Sequence, residues 1–161
     1  YNLADLLNEI IKIDEEFIIR VGMMNPEHVK KYLNALIEVY KNEKIMKFLH
    51  IPIQSGSDKV LKDMKRKCNI EELEEMVNKF RKEIKNIRIS TDIIVGYPTE
   101  SLEDFEKTID LVKKLKFEVM NMSKFSPRPG TLAIKLKQVD TKEIKRRSRI
   151  LTEVYKSIKN K

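Results

Sequence analysis

The sequence predicts an α/β fold with parallel strands. Segments of helical periodicity alternate with short, β-branched apolar segments, which is typical of parallel strands joined by right-handed crossovers. The longest apolar segment, residues 87–96, is nearly continuous, as expected for a parallel strand covered on both faces. The 161 residues fit one domain or a large part of one. An open doubly wound sheet and part of a (β/α) barrel both satisfy this pattern, and both place ligands at the C-terminal ends of the strands.

The first third of the chain predicts a helix, a strand and a second helix. Residues 2–12 carry apolar side chains at i, i+3 and i+4 spacing, which indicates an amphipathic helix. Residues 17–22 are β-branched and bounded by acidic and turn-forming residues, so we expect a short strand there. Asn25 can cap a helix that begins with Pro26 and covers 26–41.

The middle of the chain repeats the strand-and-helix unit. Residues 46–54 predict a buried strand, and a short helix over 58–66 follows a Ser/Gly turn. Asn69, with Glu72 three residues later, resembles a capping box. This pair predicts that the next helix covers 70–84, ahead of the long apolar strand.

The last third predicts one further unit and a terminal helix. Residues 101–115 have helical periodicity, and residues 117–125 predict the fourth strand. A Pro/Gly turn leads to a final helix, which Asp140 and Glu143 can cap and which ends near residue 159.

Composition narrows the class of protein. No apolar run approaches the roughly 18 residues of a membrane helix, and no signal-peptide pattern opens the sequence, so we expect a cytoplasmic protein that contacts no membrane. Lys and Arg number 33 against 25 Asp and Glu, and the net charge of +8 favours polyanionic partners, with nucleic acid as the leading candidate. A Lys- and Glu-rich surface of the thermophile type is the alternative explanation.

Candidate metal ligands and nucleophiles are few. Cys68 is the only cysteine, and with only His28 and His50 beside it the sequence contains no recognisable zinc or iron–sulfur ligand set. We expect His50 to be a packed, hydrogen-bonded strand residue rather than a catalytic base. The sequence therefore predicts no catalytic side chain and no metal site formed by these residues.

Polar residues follow the second predicted strand. The Gln54 carboxamide both donates and accepts hydrogen bonds, and the hydroxyls of Ser55 and Ser57 can bind ribose or carboxylate oxygens. Gly56 permits a ligand to approach the backbone closely. The alternative for Ser57 is that it only caps the next helix.

Further candidates follow the later strands. Asp92 interrupts an apolar strand, and because an unpaired buried carboxylate is costly, it needs a donor from a neighbouring loop or from a ligand. Gly96 either forms only a turn or presents backbone amides to a flat heterocycle. Arg128 lies between two prolines and suits phosphate or carboxylate recognition, with an ordinary solvated turn as the alternative. For Arg66 and for the cations of the final helix, a solvated position is the default, and RNA contact is the alternative for the helix.

Three separated blocks of sequence resemble a known family. They are LHIPIQSGSDKVLKDMKRK (49–67), TDIIVGYPTESLEDFEKTIDLV (91–112) and FSPRPGTLA (125–133). In order and spacing they resemble the radical S-adenosylmethionine methylthiotransferases. The MSKFSPRPGT segment and KRRSR (145–149) are most similar to the archaeal and eukaryotic branch, which modifies threonylcarbamoyladenosine beside the tRNA anticodon.

The resemblance implies a partial six-stranded (β/α) TIM-like barrel. Residues 1–161 would form the C-terminal portion of its radical SAM domain, with about four parallel strands and flanking helices. In the family, the first barrel strand carries a C-x-x-x-C-x-x-C cluster site, an N-terminal domain holds a second cluster, and a C-terminal domain binds RNA. None of these parts is present in the sequence. The resemblance therefore implies two [4Fe–4S] clusters in the full-length enzyme, none of them ligated by these residues.

The resemblance also implies a reaction and a set of site residues. Family members reduce S-adenosylmethionine at the first cluster, remove the hydrogen from C2 of an adenine in tRNA by way of a 5′-deoxyadenosyl radical, and insert a methylthio group. By position in the matching blocks, the cofactor-binding residues are Gln54, Ser55, Ser57, Arg66, Asp92, Ile94 and Gly96. Arg128 matches the loop that faces the substrate. A non-catalytic, basic RNA-binding module is the alternative function.

Absence of the first barrel strands has two expected consequences. It leaves the strand predicted at 17–22 as an unprotected sheet edge, and exposed edges pair with other chains. We therefore expect the chain to self-associate through this edge. We also expect no methylthiotransferase activity from these residues alone.

Overall fold

A computed structural model describes residues 1–160, which form a parallel three-stranded sheet packed against helices. The helices and strands, in chain order, are α1 (Leu3–Ile10), α2 (Pro26–Lys31), α3 (Leu33–Tyr40), β1 (Phe48–His50), α4 (Asp58–Asp63), α5 (Ile70–Glu83), β2 (Arg88–Val95), α6 (Leu102–Leu115), β3 (Val119–Lys124), a 3₁₀ turn (Leu132–Lys135) and α7 (Thr141–Lys159). The strands lie in the order β1-β2-β3. The predicted α/β class with parallel strands is confirmed.

Strand register places the carboxyl ends of all three strands at one edge. Leu49 of β1 lies opposite Ile89 of β2, and Asp92 of β2 lies opposite Asn121 of β3. Residues in register on parallel strands point to the same face. Ile89, Ile93 and Val95 of β2 are buried in the core, whereas Asp92 and Ile94 are only half-buried. The prediction that both faces of this strand are covered is therefore wrong for its carboxyl-terminal half.

The segment predicted as a strand at 17–22 is not one. Ile19 forms a single parallel bridge to Ile45, and Met23 forms another to His50. The backbone of Ile19 accepts from Met46 and donates to Lys44, and the ladder does not continue between the two bridges. The described residues thus contain three strands rather than about four, and the sheet edge consists of two isolated bridges.

Two other predicted elements are shorter than expected. The strand predicted over 46–54 is regular only at Phe48–His50, although Ile51 N–H still donates to the Ser90 carbonyl of β2. Pairing resumes once, where Gln54 bridges Ile93. The helix predicted over 26–41 divides at Tyr32, whose φ of −136° and ψ of 34° lie outside the helical region.

Helix caps follow the sequence closely. Asn69 and Glu72 form the predicted capping box of α5, and the Asp140 side chain accepts from the backbone N–H of Lys142 at the start of α7. Glu143 does not cap α7 and instead binds Arg146 and Arg147. No helix among residues 1–160 combines the length and apolar character needed to cross a bilayer.

Candidate functional site

A cavity of about 840 Å³ opens at the carboxyl ends of the strands. Its lining comes from the ends of β1, β2 and β3, the turn after α4 and the loop after β3. The lining residues that the sequence had singled out are Gln54, Arg66, Asp92, Ile94 and Arg128. The volume lies within the roughly 300–1,000 Å³ typical of small-ligand sites.

Gln54 is held in a left-handed conformation at the inner wall of this cavity. Its φ is 78°, a region that costs a non-glycine residue on the order of 1 kcal/mol. Two backbone bonds maintain it: Gln54 N–H donates to the Asp92 carbonyl at 2.8 Å, and the Gln54 carbonyl accepts from Ile94 at 2.9 Å. The residue is 7% exposed, yet its carboxamide has no hydrogen-bond partner among residues 1–160. The fold thus aims an unpartnered amide into the cavity.

Asp92 lies on the cavity floor between two polar neighbours. His50 Nε2 lies 3.0 Å from Asp92 Oδ2, and the Asn121 amide donates to Oδ1 at 2.8 Å. The three side chains come one each from β1, β2 and β3. The donors that Asp92 requires are therefore neighbouring strand residues, and His50 is hydrogen-bonded as predicted.

Ser55, Gly56 and Ser57 lie behind the cavity and do not line it. Ser55 and Ser57 are almost fully buried. Gly56 N–H donates to Thr108 Oγ1 at 2.9 Å, which joins the loop to α6. The Ser57 hydroxyl donates to Asp104 at 2.6 Å and makes no capping bond, so the interpretation of Ser57 as a simple cap is wrong.

Asp104 connects this loop to the start of α6. Its carboxylate accepts from Ser57, from the backbone and hydroxyl of Ser101, and from Lys59 at 3.4 Å. Burial acts to raise the pKa of Asp104, but the bonds from Ser57 and Ser101 outweigh it and hold that pKa well below its usual range.

This depressed pKa predicts a loss of stability in acid. A carboxyl whose folded pKa is below its unfolded value of about 3.9 stabilises the protein above that pH, and the contribution is lost as the pH falls through the folded pKa. We expect Asp104→Asn to lower the unfolding free energy at pH 7 by about 2 kcal/mol, because bonds to a charged group are lost. Urea unfolding at pH 7 and pH 2.5 should show the gap between wild type and variant narrowing in acid. An equal gap at both pH values would contradict this role.

Gly96 also lies outside the cavity lining, where it serves helix packing. Its φ is +82°, and a Cβ at this position would lie 2.5 Å from Ile144 Cγ1 of α7. Its N–H donates to Glu100 Oε2 at 2.9 Å, and the same oxygen accepts from Arg147 of α7 at 2.8 Å. Gly96 therefore lets α7 pack close behind β2 rather than presenting its own backbone to the cavity.

The cavity mouth is cationic on both sides. Lys65 and Arg66 follow α4, Lys124 ends β3 and Arg128 lies in the loop after it, and all four are exposed. The Thr131 hydroxyl and N–H both donate to the Arg128 carbonyl, which closes the Pro-Arg-Pro-Gly-Thr turn. The turn thereby holds Arg128 at the mouth.

Sequence reasoning missed several residues of the cavity wall. Tyr97 and Phe125 pack edge to face with ring centroids 5.2 Å apart, and Lys65 stands beside Arg66. Sequence reasoning also missed Asn121, which donates to Asp92, although this polar residue interrupts β3 as Asp92 interrupts β2. Nothing in the sequence alone indicates that Tyr97 and Phe125 meet.

The described residues do not fit an iron–sulfur cluster. Burial raises the pKa of the Cys68 thiol to about 12, which disfavours the thiolate that a cluster needs. Residues 1–160 bring together no group of three His, Cys, Asp or Glu side chains.

Known proteins resemble this chain in sequence and in fold. Residues 1–112 match the model of the radical SAM superfamily. A protein from Pyrococcus horikoshii named "Probable threonylcarbamoyladenosine tRNA methylthiotransferase" is 50% identical over 153 residues, which are 95% of this chain and 36% of that protein. Its namesake in Methanocaldococcus jannaschii is 50% identical over 98% of this chain and 37% of that protein. The Caenorhabditis elegans threonylcarbamoyladenosine tRNA methylthiotransferase is 40% identical over 96% of this chain and 37% of that protein.

These relatives are longer than the chain, which spans little more than a third of their length. Among solved structures, the Escherichia coli coproporphyrinogen III oxidase, described as a radical SAM enzyme, superposes with a TM-score of 0.69 at 17% identity. The match covers 94% of this chain and 36% of the oxidase, and at this identity it shows a shared fold only. Because the family model covers residues 1–112, more than half of the chain, the chain belongs to the radical SAM superfamily.

Proposed function

We propose that this chain is part of a radical SAM enzyme that adds a methylthio group to C2 of threonylcarbamoyladenosine in tRNA. The printed names of relatives that are 40–50% identical over nearly the whole chain support this proposal. Residues 1–161 would be the C-terminal portion of the radical SAM domain, and the cluster ligands would come from elsewhere in the protein. The full-length enzyme would hold two [4Fe–4S] clusters and act in the cytoplasm.

The observation that carries the proposal is the carboxamide of Gln54. The residue is more than nine-tenths buried, its carboxamide has no hydrogen-bond partner among residues 1–160, and a strained backbone conformation holds it in the cavity wall. Strain of this kind persists where surrounding structure imposes it, and it concentrates at ligand sites. One amide offers both a donor and an acceptor, which matches the vicinal hydroxyls of a ribose.

The other cavity residues suit the remaining parts of S-adenosylmethionine. Arg66 would bind the carboxylate of the methionine portion, and Asp92 would accept a hydrogen bond from the adenosyl portion. Ile94 would offer apolar contact to the adenine. When bound, the cofactor supplies the adenosyl radical chemistry of the superfamily.

Three predicted cofactor residues would act indirectly. Ser55 and Ser57 would set the position of Gln54 by joining its loop to α6, and Gly96 would admit α7 behind β2. Arg128 would face the RNA substrate from the loop after β3.

Calorimetric titration with S-adenosylhomocysteine, a stable analogue of the cofactor, tests the proposal. We expect the wild-type chain to bind it and Gln54→Gly to bind it at least about tenfold more weakly, because two hydrogen bonds of roughly 1 kcal/mol each are lost. The same variant should be as stable as wild type or more stable, since glycine relieves the left-handed strain. A merely misfolded variant would not show this combination.

Asn86→Gly is the matched control. Asn86 also has a positive φ, 59°, but it precedes β2 at the opposite edge of the sheet. It should gain stability and leave the affinity for S-adenosylhomocysteine unchanged. Wild-type affinity in Gln54→Gly would reject the role of Gln54. RNA binding with no response of the wild type to S-adenosylhomocysteine would favour the basic RNA-binding module instead.

A further inference from the structure

Lys65 occupies an unusual backbone position at the cavity mouth. It ends α4 with a φ of 59°, in the left-handed region where glycine is the favoured residue. Lys65 N–H donates to the Lys62 carbonyl at 2.9 Å, and Arg66 N–H donates to the Leu61 carbonyl at 2.8 Å. The turn thus maintains the conformation and directs two consecutive cations, Lys65 and Arg66, to the cavity.

The charges around this cavity leave its cations available to a ligand. The two carboxylates of the lining are Asp63, which lies 3.9 Å from Lys59, and Asp92, which is engaged by His50 and Asn121. Within residues 1–160, no ion pair joins a carboxylate to any of the four lining cations. Those cations are Lys65, Arg66, Lys124 and Arg128. They flank the opening on two sides, so an anion crossing it meets positive charge on both.

We propose that Lys65 contacts a backbone phosphate of an RNA strand that crosses the cavity mouth. The inference rests on the proposed function, in which Arg128 faces the RNA substrate from the loop after β3 at the same mouth. Lysine is a compact point charge on a flexible stem, and it suits a phosphate outside the cavity better than a fixed bidentate contact within it. Arg66 is the better match to a carboxylate inside.

The chain offers a matched control for this position. Lys116 ends α6 with a φ of 46°, is exposed, and precedes β3 at the opposite edge of the sheet. Lys65→Gly and Lys116→Gly therefore remove the same charge and relieve the same backbone strain. They differ in whether the lost cation lies at the cavity.

Fluorescence anisotropy with a labelled anticodon stem-loop RNA, between 50 and 200 mM KCl, tests the inference. We expect Lys65→Gly to weaken binding about three- to tenfold at the lowest salt and to reduce the slope of log K against log salt by roughly 1. Lys116→Gly should change the affinity less than twofold. Both variants should have urea midpoints equal to or above wild type, which separates a lost contact from lost folding.

Three results would overturn the inference: equal RNA affinities for the two variants, an unchanged salt slope in Lys65→Gly, or no RNA binding by the wild type. A Lys65→Gly variant that loses affinity for S-adenosylhomocysteine rather than for RNA would also overturn it, because Lys65 would then serve the small ligand. If the wild type binds RNA but not S-adenosylhomocysteine, and Lys65→Gly still reduces the salt slope, the phosphate contact stands while the proposed function fails.

Discussion

Gly56→Ala is expected to destabilise the protein by about 3 kcal/mol, the upper end of the usual range for overpacked interiors. A Cβ at Gly56 would lie 2.6 Å from the Lys107 carbonyl oxygen and in still closer contact with the backbone of Thr108. These are backbone atoms of α6, so no side-chain rotation relieves the clash. The loop or the helix must move, and the bond from Gly56 N–H to the Thr108 hydroxyl is lost with that movement.

The same displacement should reach the cavity, because Gln54 precedes Gly56 by two residues. Urea unfolding measures the stability. The affinity for S-adenosylhomocysteine shows whether the loop that holds Gln54 has moved. Gly22→Ala is the control, since a Cβ at Gly22 meets nothing within 4 Å. It should alter the unfolding free energy by less than about 0.5 kcal/mol. A Gly56→Ala protein as stable as Gly22→Ala would show that the loop does not pack on α6 as described.

Arg147→Met should cost about 3–5 kcal/mol, the range observed when one partner of a buried ion pair is removed. Arg147 and Glu100 have side chains only 7% and 1% exposed, with nitrogen and oxygen 2.8 Å apart. Arg147 also donates to the carbonyls of Glu100 and Ser101, and it lies over the ring of Phe105. The variant leaves the Glu100 carboxylate buried without its cation, and Oε1 of that carboxylate already has no hydrogen-bond partner.

The loss should grow with pH. Burial raises the pKa of Glu100, and the bonds from Gly96 N–H and Arg147 oppose that rise. Without Arg147 the pKa rises further above the unfolded value of about 4.3. A carboxyl with a raised folded pKa contributes stability fully below its unfolded pKa and loses it as the pH increases. Arg147→Met should therefore be less destabilised at pH 5 than at pH 8.

Two further variants make this prediction specific. Glu100→Gln combined with Arg147→Met should recover part of the loss and abolish its pH dependence, because neither residue of the buried pair is then charged. Arg149→Met removes an exposed arginine from the same helix and should change the unfolding free energy by less than about 0.5 kcal/mol. Equal losses in Arg147→Met and Arg149→Met would contradict the assigned role of the buried pair.

Elements with local signals could be predicted from the sequence. Helix caps are contacts between residues two or three positions apart, so the local sequence pattern reveals them. The examples are the capping box of Asn69 and Glu72 and the cap at Asp140. The strand predicted at 17–22 failed because strand formation depends on a partner, and this segment forms only one bridge, between Ile19 and Ile45.

The candidate site also has features that the sequence predicts and features that it does not. The placement of Gln54, Asp92 and Arg128 near one another follows from their positions in or after the carboxyl-terminal halves of successive parallel strands. The sequence does not predict which neighbouring side chains turn inward. Ser57 points to Asp104, a residue 47 positions away, because a buried carboxylate requires donors.

The sequence by itself determined the parallel α/β class, the edge of the sheet at which the cavity opens, and the superfamily. The tertiary structure decided that Gln54 faces the cavity unpartnered, that Asp92 is held by His50 and Asn121, and that Arg147 of the basic final helix is buried against Glu100. Local periodicity and spacing encode the first group. The second group depends on which distant polar atoms must satisfy one another once water is excluded, and only the folded arrangement settles that.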